Sequence, residues 1–466
     1  MTEQDSLAER PAAAPEDAPS GGTPTLRRRI NFFELVVYGL VFIGPAAAVS
    51  IFGPLDAQSH GAVPLVYLVA TVAMAFTAYS YALMSRRVPR AGSVFAYASA
   101  GIGPRTGFMG GWMVMLDYLL IPSVAYLFTG IAMHSFLPAV PTWGWTAMAV
   151  VLTTGLNLAG VRIAARVATL VVAAECIVLA MVLAGGVRVI AEHGTVRDPL
   201  SPLTGVGGLS LTAVLGAVSV AMLSYLGFDA IATFAEETIG ASRMVARALV
   251  ICLVTAGLLF AAQTYVAALI TTETPQFLAA NPDLQGDAYY RLVDDRIAGW
   301  LSTALAVSKA AGAAFSAMVG QAAASRILMD MGRAKRLPAF LAKVDGHTGV
   351  PAVGVLIAAA FNVVIAVWAA SADDGLDILV SVVSVGALCA FLLLHGSVIG
   401  YYWVRRLGGP RRVVSHLVAP VLGSAILLVV LVEANGVAQV VGAVWLVAGL
   451  AVVAVQHRRG GYASAE

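Results

Sequence analysis

The stretch Ser224-Tyr225-Leu226-Gly227-Phe228-Asp229-Ala230, running on to Glu236-Glu237, sets a glycine and three acids inside an otherwise apolar run. It has an earlier counterpart in Gly44-Pro45-Ala46-Ala47-Ala48-Val49-Ser50, which interrupts the first apolar run. A helix that breaks at mid-membrane depth frees backbone N–H and C=O groups. Lipid cannot satisfy them, so such breaks persist where they line a cavity or bind something. Two breaks of this kind point to a carrier.

The membrane setting follows from composition. Hydrophobic residues make up 59% of the 466 and charged residues 12%, with a mean hydropathy of +0.85, whereas soluble domains carry about 25% charge. Windows free of Asp, Glu, Lys and Arg recur along the chain: Gly61 to Ser85, Tyr118 to Val161, Pro199 to Phe228, Ala248 to Thr272, Gly346 to Ala372, Ile378 to Val404, Val413 to Val432 and Ala434 to His457. A helix needs about 20 apolar residues to cross the hydrocarbon. Cutting the longer windows at Pro138 and Pro141, and adding the less pure segments, predicts an all-α integral membrane protein of about 12 transmembrane helices.

Basic residues set the orientation. With the amino terminus inside, Arg27 to Arg29, Arg86, Arg87 and Arg90, Arg162 and Arg166, Arg243 and Arg247, Arg326 to Lys343, Arg405 to Arg412, and Arg458-Arg459 all fall on the cytoplasmic side. The opposite loops hold Arg188, Arg197, Arg291 and Arg296 among many acids. Both termini are therefore expected in the cytoplasm, in a multi-pass protein of the cell membrane. Residues 1–30 read as a disordered tail without the apolar core of a signal peptide. Residues 31–190 and 205–405 read as two sets of five helices, 412–457 as two additional helices and 458–466 as a second tail. Cys176, Cys252 and Cys389 fall inside expected helices as small packing residues. The net charge of +2 follows the inside bias and points to no nucleic acid.

At the first break Pro45 removes a backbone donor, while Gly44 and the small Ala46, Ala47 and Ala48 let another group approach the main chain. The plain reading is a kinked helix. In the sixth helix Gly227 stands beside Asp229 at about mid-depth, where an acid costs a few kcal/mol unless it is paired, protonated or hydrated. The breaks occupy corresponding places in the two sets of five helices, the sign of an inverted repeat with a binding site between its halves.

Several patches carry a family resemblance. They are Pro89-Arg90-Ala91-Gly92-Ser93-Val94-Phe95-Ala96-Tyr97, Gly111-Trp112 with Leu116-Asp117-Tyr118, and Asn157-Leu158-Ala159-Gly160-Val161-Arg162. The broken sixth helix through Ala235-Glu236-Glu237-Thr238 adds another, as do Ala324-Ser325-Arg326-Ile327-Leu328-Met329 through Arg333, Leu337-Pro338, and Thr348-Gly349-Val350-Pro351. In this order and spacing the chain resembles the amino acid-polyamine-organocation superfamily of permeases, from about Phe33 to the end of the tenth helix. The resemblance implies the LeuT-like five-plus-five inverted repeat with discontinuous first and sixth helices, plus two extra helices. It also implies alternating access around the two breaks, with half-helix amino termini holding a substrate carboxylate and unwound carbonyls its amine. Carried onto this chain, it places Ala46 to Ser50, with Ala47 and Ala48 among them, near the carboxylate, and Gly44 and Pro45 with them in the substrate site. Ser224, Tyr225, Gly227, Phe228 and Asp229 surround the amine and side chain.

Two departures bear on substrate and coupling. Ala48 and Ser50 replace glycines usual in the first break, and Pro45 is similar to what putrescine importers of the superfamily show, which makes a substrate without a carboxylate credible. Glu175 stands where proton-coupled members often carry a lysine on the fifth helix. It lies about 14 Å of helix beyond Arg166, deep enough to be expensive if charged. Lys309, on the eighth helix, is a second ionisable group among apolar neighbours. We expect these two to form the ion-coupling element for a proton or sodium ion; a static buried pair is the plain alternative. Counting inward from Arg326 puts Lys309 about 26 Å along its helix, a depth at odds with direct contact.

Asp117 either faces the cavity or is a structural acid bonded to a neighbouring helix. Glu236 and Glu237 are expected at a cytoplasmic gate with Arg86, Arg87 or Arg326; a solvated helix end is the alternative. His134, His395 and His416 have no second ligand at i+3 or i+4, so no metal site is expected, nor any cofactor. No His-Glu-x-x-His occurs, the acid pairs Asp294-Asp295 and Asp373-Asp374 fall in external loops, and no Gly-x-x-x-x-Gly-Lys-Ser/Thr loop is present. An enzyme and a nucleotide-driven pump are therefore disfavoured, leaving secondary transport. The acids Asp117, Glu175 and Asp229 favour a cationic amine, while Lys309 disfavours a dication if it shares their cavity. A zwitterionic amino acid fits both signs and is the first expectation, with putrescine or another polyamine second.

Overall fold

The computed structural model describes residues 26, 28–240, 242–372, 375–432 and 436–458. Most of the two expected tails, with Arg27, Arg459 and Asp373-Asp374, lies outside the described residues. The helices are α1 (Phe32–Ile43), α2 (Ala47–Gln58), α3 (Val63–Arg87), α4 (Val94–Gly101), α5 (Pro104–Phe136) and α6 (Thr142–Leu158). There follow α7 (Val161–His193), α8 (Ser201–Thr204), α9 (Leu211–Leu223), a 3-10 segment Phe228–Phe234, α10 (Arg243–Ile270), α11 (Pro275–Ala280) and α12 (Ala288–Arg296). The chain ends with α13 (Gly299–Arg333), α14 (Ala352–Ser371), α15 (Gly375–Ile399), α16 (Ala419–Val432) and α17 (Gly436–Arg458). Among the described residues the secondary structure is helical, apart from one isolated bridge between Ile30 and Thr238.

Ten described helical segments are long and apolar enough to cross a membrane, and the bent pair α1–α2 makes an eleventh. At 17 residues α6 stands at the lower limit for a crossing. The span α1–α2 is bent at its break and α9 passes into a 3-10 segment at another, and short helices follow the next long helix in each case: α4 after α3, and α11 and α12 after α10.

Local chemistry explains the key boundaries. Asn31 caps α1: its side chain accepts from the Glu34 amide at 2.9 Å, and the Glu34 carboxylate accepts from the Asn31 amide at 2.9 Å. Gly44, at φ 78°, ends that helix in a conformation that glycine adopts freely. α10 packs closely along α3, and a Cβ on Gly257 would approach the Thr71 side-chain carbons to 2.8 and 3.1 Å. Small residues at such crossings substitute for a hydrophobic drive that lipid cannot supply. On the periphery, the stacked indoles of Trp112 and Trp445 fasten α17 to α5. Each ring nitrogen donates to the other residue's carbonyl at 2.8 Å. The two broken spans meet in the middle, framed by α7, α10 and α13.

Candidate functional site

The groups freed at the first break are satisfied by side chains from three surrounding helices, as breaks in lipid require. The Ala46 amide donates to Glu175 Oε1 at 3.1 Å. The Pro45 carbonyl accepts from Gln263 at 3.1 Å, and the Phe42 carbonyl from the Ser316 hydroxyl at 2.7 Å. The Ala47 and Val49 amides donate to Gly44 and Ala46 carbonyls. At the second break α9 loosens into tight turns: the Ser224, Tyr225 and Leu226 amides donate three residues back at 3.0 to 3.2 Å. Gly227 follows at φ 105°, and a Cβ there would meet the Phe42 ring at 2.8 to 3.1 Å.

A cavity of about 350 Å³ lies between the breaks. Of the expected residues, Gly44, Ala46, Ala47, Ser50, Ser224, Glu175 and Lys309 line it, and the remaining wall is largely apolar, with Ile51, Ile121, Phe128 and Leu223 among its residues. Lys309 donates to the Ser50 hydroxyl. Glu175 and Lys309 therefore converge one turn apart at the start of α2, Glu175 at its capping residue Ala46 and Lys309 at Ser50. Glu175 Oε2 is buried without a hydrogen-bond partner among the described residues. It abuts Gly312, where a Cβ would come within 2.9 Å of it. Glu175 and Lys309 line one cavity even though the depths counted along their helices differ.

Pro45, Ala48, Tyr225, Gly227, Phe228, Asp229 and Asp117 are not part of the cavity wall. Tyr225 is held against α3, its hydroxyl 2.7 Å from that of Thr71 and donating to the Tyr67 carbonyl at 3.1 Å. Asp229 is fully buried and accepts from Tyr118 at 2.6 Å and Tyr81 at 3.0 Å on one carboxylate oxygen. Asp117 is fully buried, with neither carboxylate oxygen bonded among the described residues.

At one end of the molecule Glu237 pairs with Arg326, both buried. The guanidinium sits 4.2 Å above the Phe234 ring, which stacks on Tyr38 at 4.8 Å. Glu236 pairs with Arg333 at 2.7 Å and accepts from the Ala91 amide at 3.1 Å, while Asp330 pairs with Arg90 at 2.7 Å. Arg87 turns away to Tyr402 and the Gly408 carbonyl. At the opposite end Asp56, on α2, takes a two-pronged contact from Arg197 at 2.7 Å, and Arg197 also donates to the Glu273 carbonyl at 2.6 Å. Neither Arg333 nor Arg197 stood out in the sequence, because their partners lie far away along the chain.

Two broken spans around a cavity, with buried ion pairs toward both ends, define a membrane transporter. The chain belongs to the amino acid permease family, whose model matches residues 32–455. It is 28% identical over 445 residues to the low-affinity putrescine importer PlaP of Escherichia coli, covering 93% of this chain and 94% of that protein. It is 27% identical over 446 residues to the branched-chain amino acid permease BcaP of Lactococcus lactis, covering 88% and 91%. A more distant relative is the mitochondrial cationic amino acid transporter 3 of Arabidopsis thaliana, 26% identical over 390 residues, covering 79% and 61%.

Proposed function

We propose that this transporter is a secondary carrier of zwitterionic amino acids with apolar side chains, driven by a cation gradient and working by alternating access between the repeats 31–190 and 205–405. One observation carries the substrate class: Glu175 and Lys309, of opposite sign, line a single largely apolar cavity at the first break. A zwitterion presents both charges, and a dication would meet the Lys309 ammonium. With the Ala46 amide already bonded to Glu175, the substrate carboxylate is assigned to Lys309 and its ammonium to the free oxygen of Glu175. The same pair is assigned to coupling, since a change of proton on either member alters the charge offered to the substrate. Glu236 and Glu237, with Arg333 and Arg326, form the cytoplasmic gate, with both termini on that side.

Putrescine is the second reading, and a specific observation favours it. Glu175 occupies the helix amino terminus that would otherwise receive a substrate carboxylate, and the relative PlaP is a putrescine importer. A thermal-shift screen of the purified full-length protein against amino acids and polyamines separates the two. We expect stabilisation by leucine, isoleucine or valine; stabilisation by putrescine and by no amino acid reverses the order.

A further inference from the structure

Between the apolar spans that end at Val404 and begin at Val414 the chain reads Arg405-Arg406-Leu407-Gly408-Gly409-Pro410-Arg411-Arg412-Val413. Four of these nine residues are arginine, and no acid occurs anywhere from Ile378 to Val432. The turn is held in place from α3: Arg87 donates to the Tyr402 hydroxyl at 3.3 Å and to the Gly408 carbonyl at 3.0 Å. The Leu407 amide donates to the Tyr401 carbonyl at 3.0 Å, and the His416 ring stacks on Tyr402 at 3.7 Å while accepting from the Arg412 amide at 3.2 Å. Arg406 at φ 58° and Gly409 at φ 80° complete the reversal.

This fixed turn carries donors without acceptors. Elsewhere at the same end arginines meet carboxylates: Arg90 pairs with Asp330, Arg326 with Glu237 and Arg333 with Glu236. In the turn Arg405 reaches the Ala100 carbonyl at 3.3 Å, and Arg411 covers the Trp403 ring at 5.5 Å. The side chains of Arg406 and Arg412 are exposed, with no hydrogen-bond or ion-pair partner among the described residues. The Trp403 indole nitrogen, below Arg411, is buried and also lacks an acceptor among the described residues. Apolar side chains flank these donors: Val404 is 75% exposed and Val414 71%, and Leu407 and Val413 are exposed as well.

The pattern selects its occupant. Arginines immediately beyond two spans stand at the depth of lipid phosphates, and a guanidinium fork matches two phosphate oxygens. Free phosphate or an acidic peptide would answer the arginines and leave the valines bare, whereas acyl chains cover them. We infer that the turn between α15 and α16 binds the headgroup of an anionic phospholipid, its phosphate held by Arg406 and Arg412 and its chains laid over Val404 and Val414. Arg405, Arg411 and the Trp403 N–H add to the same positive face. Because Arg87 clasps the turn from α3, the bound lipid braces α3, α15 and α16 together. The inference rests on the membrane setting and is independent of the solute carried.

Native mass spectrometry of the purified full-length protein, titrated in non-ionic detergent with phosphatidylglycerol or with phosphatidylcholine of the same chains, tests it. The wild type is expected to bind phosphatidylglycerol at least about tenfold more tightly than phosphatidylcholine. Arg406→Gln with Arg412→Gln is expected to weaken phosphatidylglycerol by about 30-fold while phosphatidylcholine stays within about twofold, a split that misfolding does not produce. Arg406→Lys with Arg412→Lys keeps the charge and is expected to recover most of the lost affinity. Equal wild-type affinity for the two lipids, or unchanged phosphatidylglycerol affinity in the double glutamine variant, overturns the site. Inorganic phosphate that displaces phosphatidylglycerol at equal concentration would make a soluble anion the occupant and overturns the lipid assignment.

Discussion

Arg326→Ala is expected to destabilise the protein by about 3–5 kcal/mol, because it strips a buried carboxylate of its only counter-charge in the pair. Both partners are almost fully enclosed, and the guanidinium also donates to the Ala322 carbonyl at 2.7 Å and covers Phe234. The Glu237 carbonyl accepts from the Arg29 and Ile30 amides at 2.8 and 3.0 Å, which ties the entry to α1 to the same point. Loss of the pair therefore loosens α1 at the end where the gate is assigned. Replacing both residues by leucine is expected to restore much of the stability, since a buried pair contributes little over well-packed apolar groups. Detergent-titrated unfolding of Arg326→Ala and of the double leucine variant measures this. A double variant no more stable than Arg326→Ala would show that the pair itself holds the fold.

Lys309→Met is expected to weaken substrate binding by at least about 30-fold, since truncating one partner of a buried charge pair costs about 2–5 kcal/mol. The change also leaves Glu175 as the cavity's uncompensated charge and removes the donor to Ser50. Glu175→Gln keeps the shape and an acceptor for the Ala46 amide but cannot exchange a proton. It is expected to lower uptake by a similar factor and to flatten its dependence on external pH. Uptake measured across external pH in both variants gives the answer, and an unchanged pH dependence in both removes them from the coupling step.

The sequence made the membrane fold legible because its signals are local: apolar windows of sufficient length, basic residues at their ends, and a glycine beside an acid where no loop was due. The break at Gly44-Pro45 and the place of Glu175 on α7 were equally readable, and both reach the cavity. Distance along the chain hid the rest. Gln263 holds the Pro45 carbonyl from 218 residues away and Arg326 reaches Glu237 across 89, and neither periodicity nor composition encodes such pairs. Counting residues along separate helices sets Glu175 and Lys309 at unequal depths, because such a count carries no information on how α7 and α13 are placed against each other. Asp229 was visible as a buried acid, but its hydrogen bonds from Tyr81 and Tyr118, 148 and 111 residues away, were not. Tyr118 could have been suspected from Leu116-Asp117-Tyr118, where a polar-tipped ring adjoins an acid in an apolar helix.

The central claim is that the cavity at the two breaks carries a zwitterionic amino acid against its gradient. Uptake of radiolabelled leucine into proteoliposomes of the purified protein, with and without an imposed inward proton or sodium gradient and with unlabelled putrescine as competitor, tests it most directly. The account predicts gradient-dependent accumulation of leucine that excess putrescine leaves intact. Leucine that fails to enter while radiolabelled putrescine accumulates under the same gradient would contradict it.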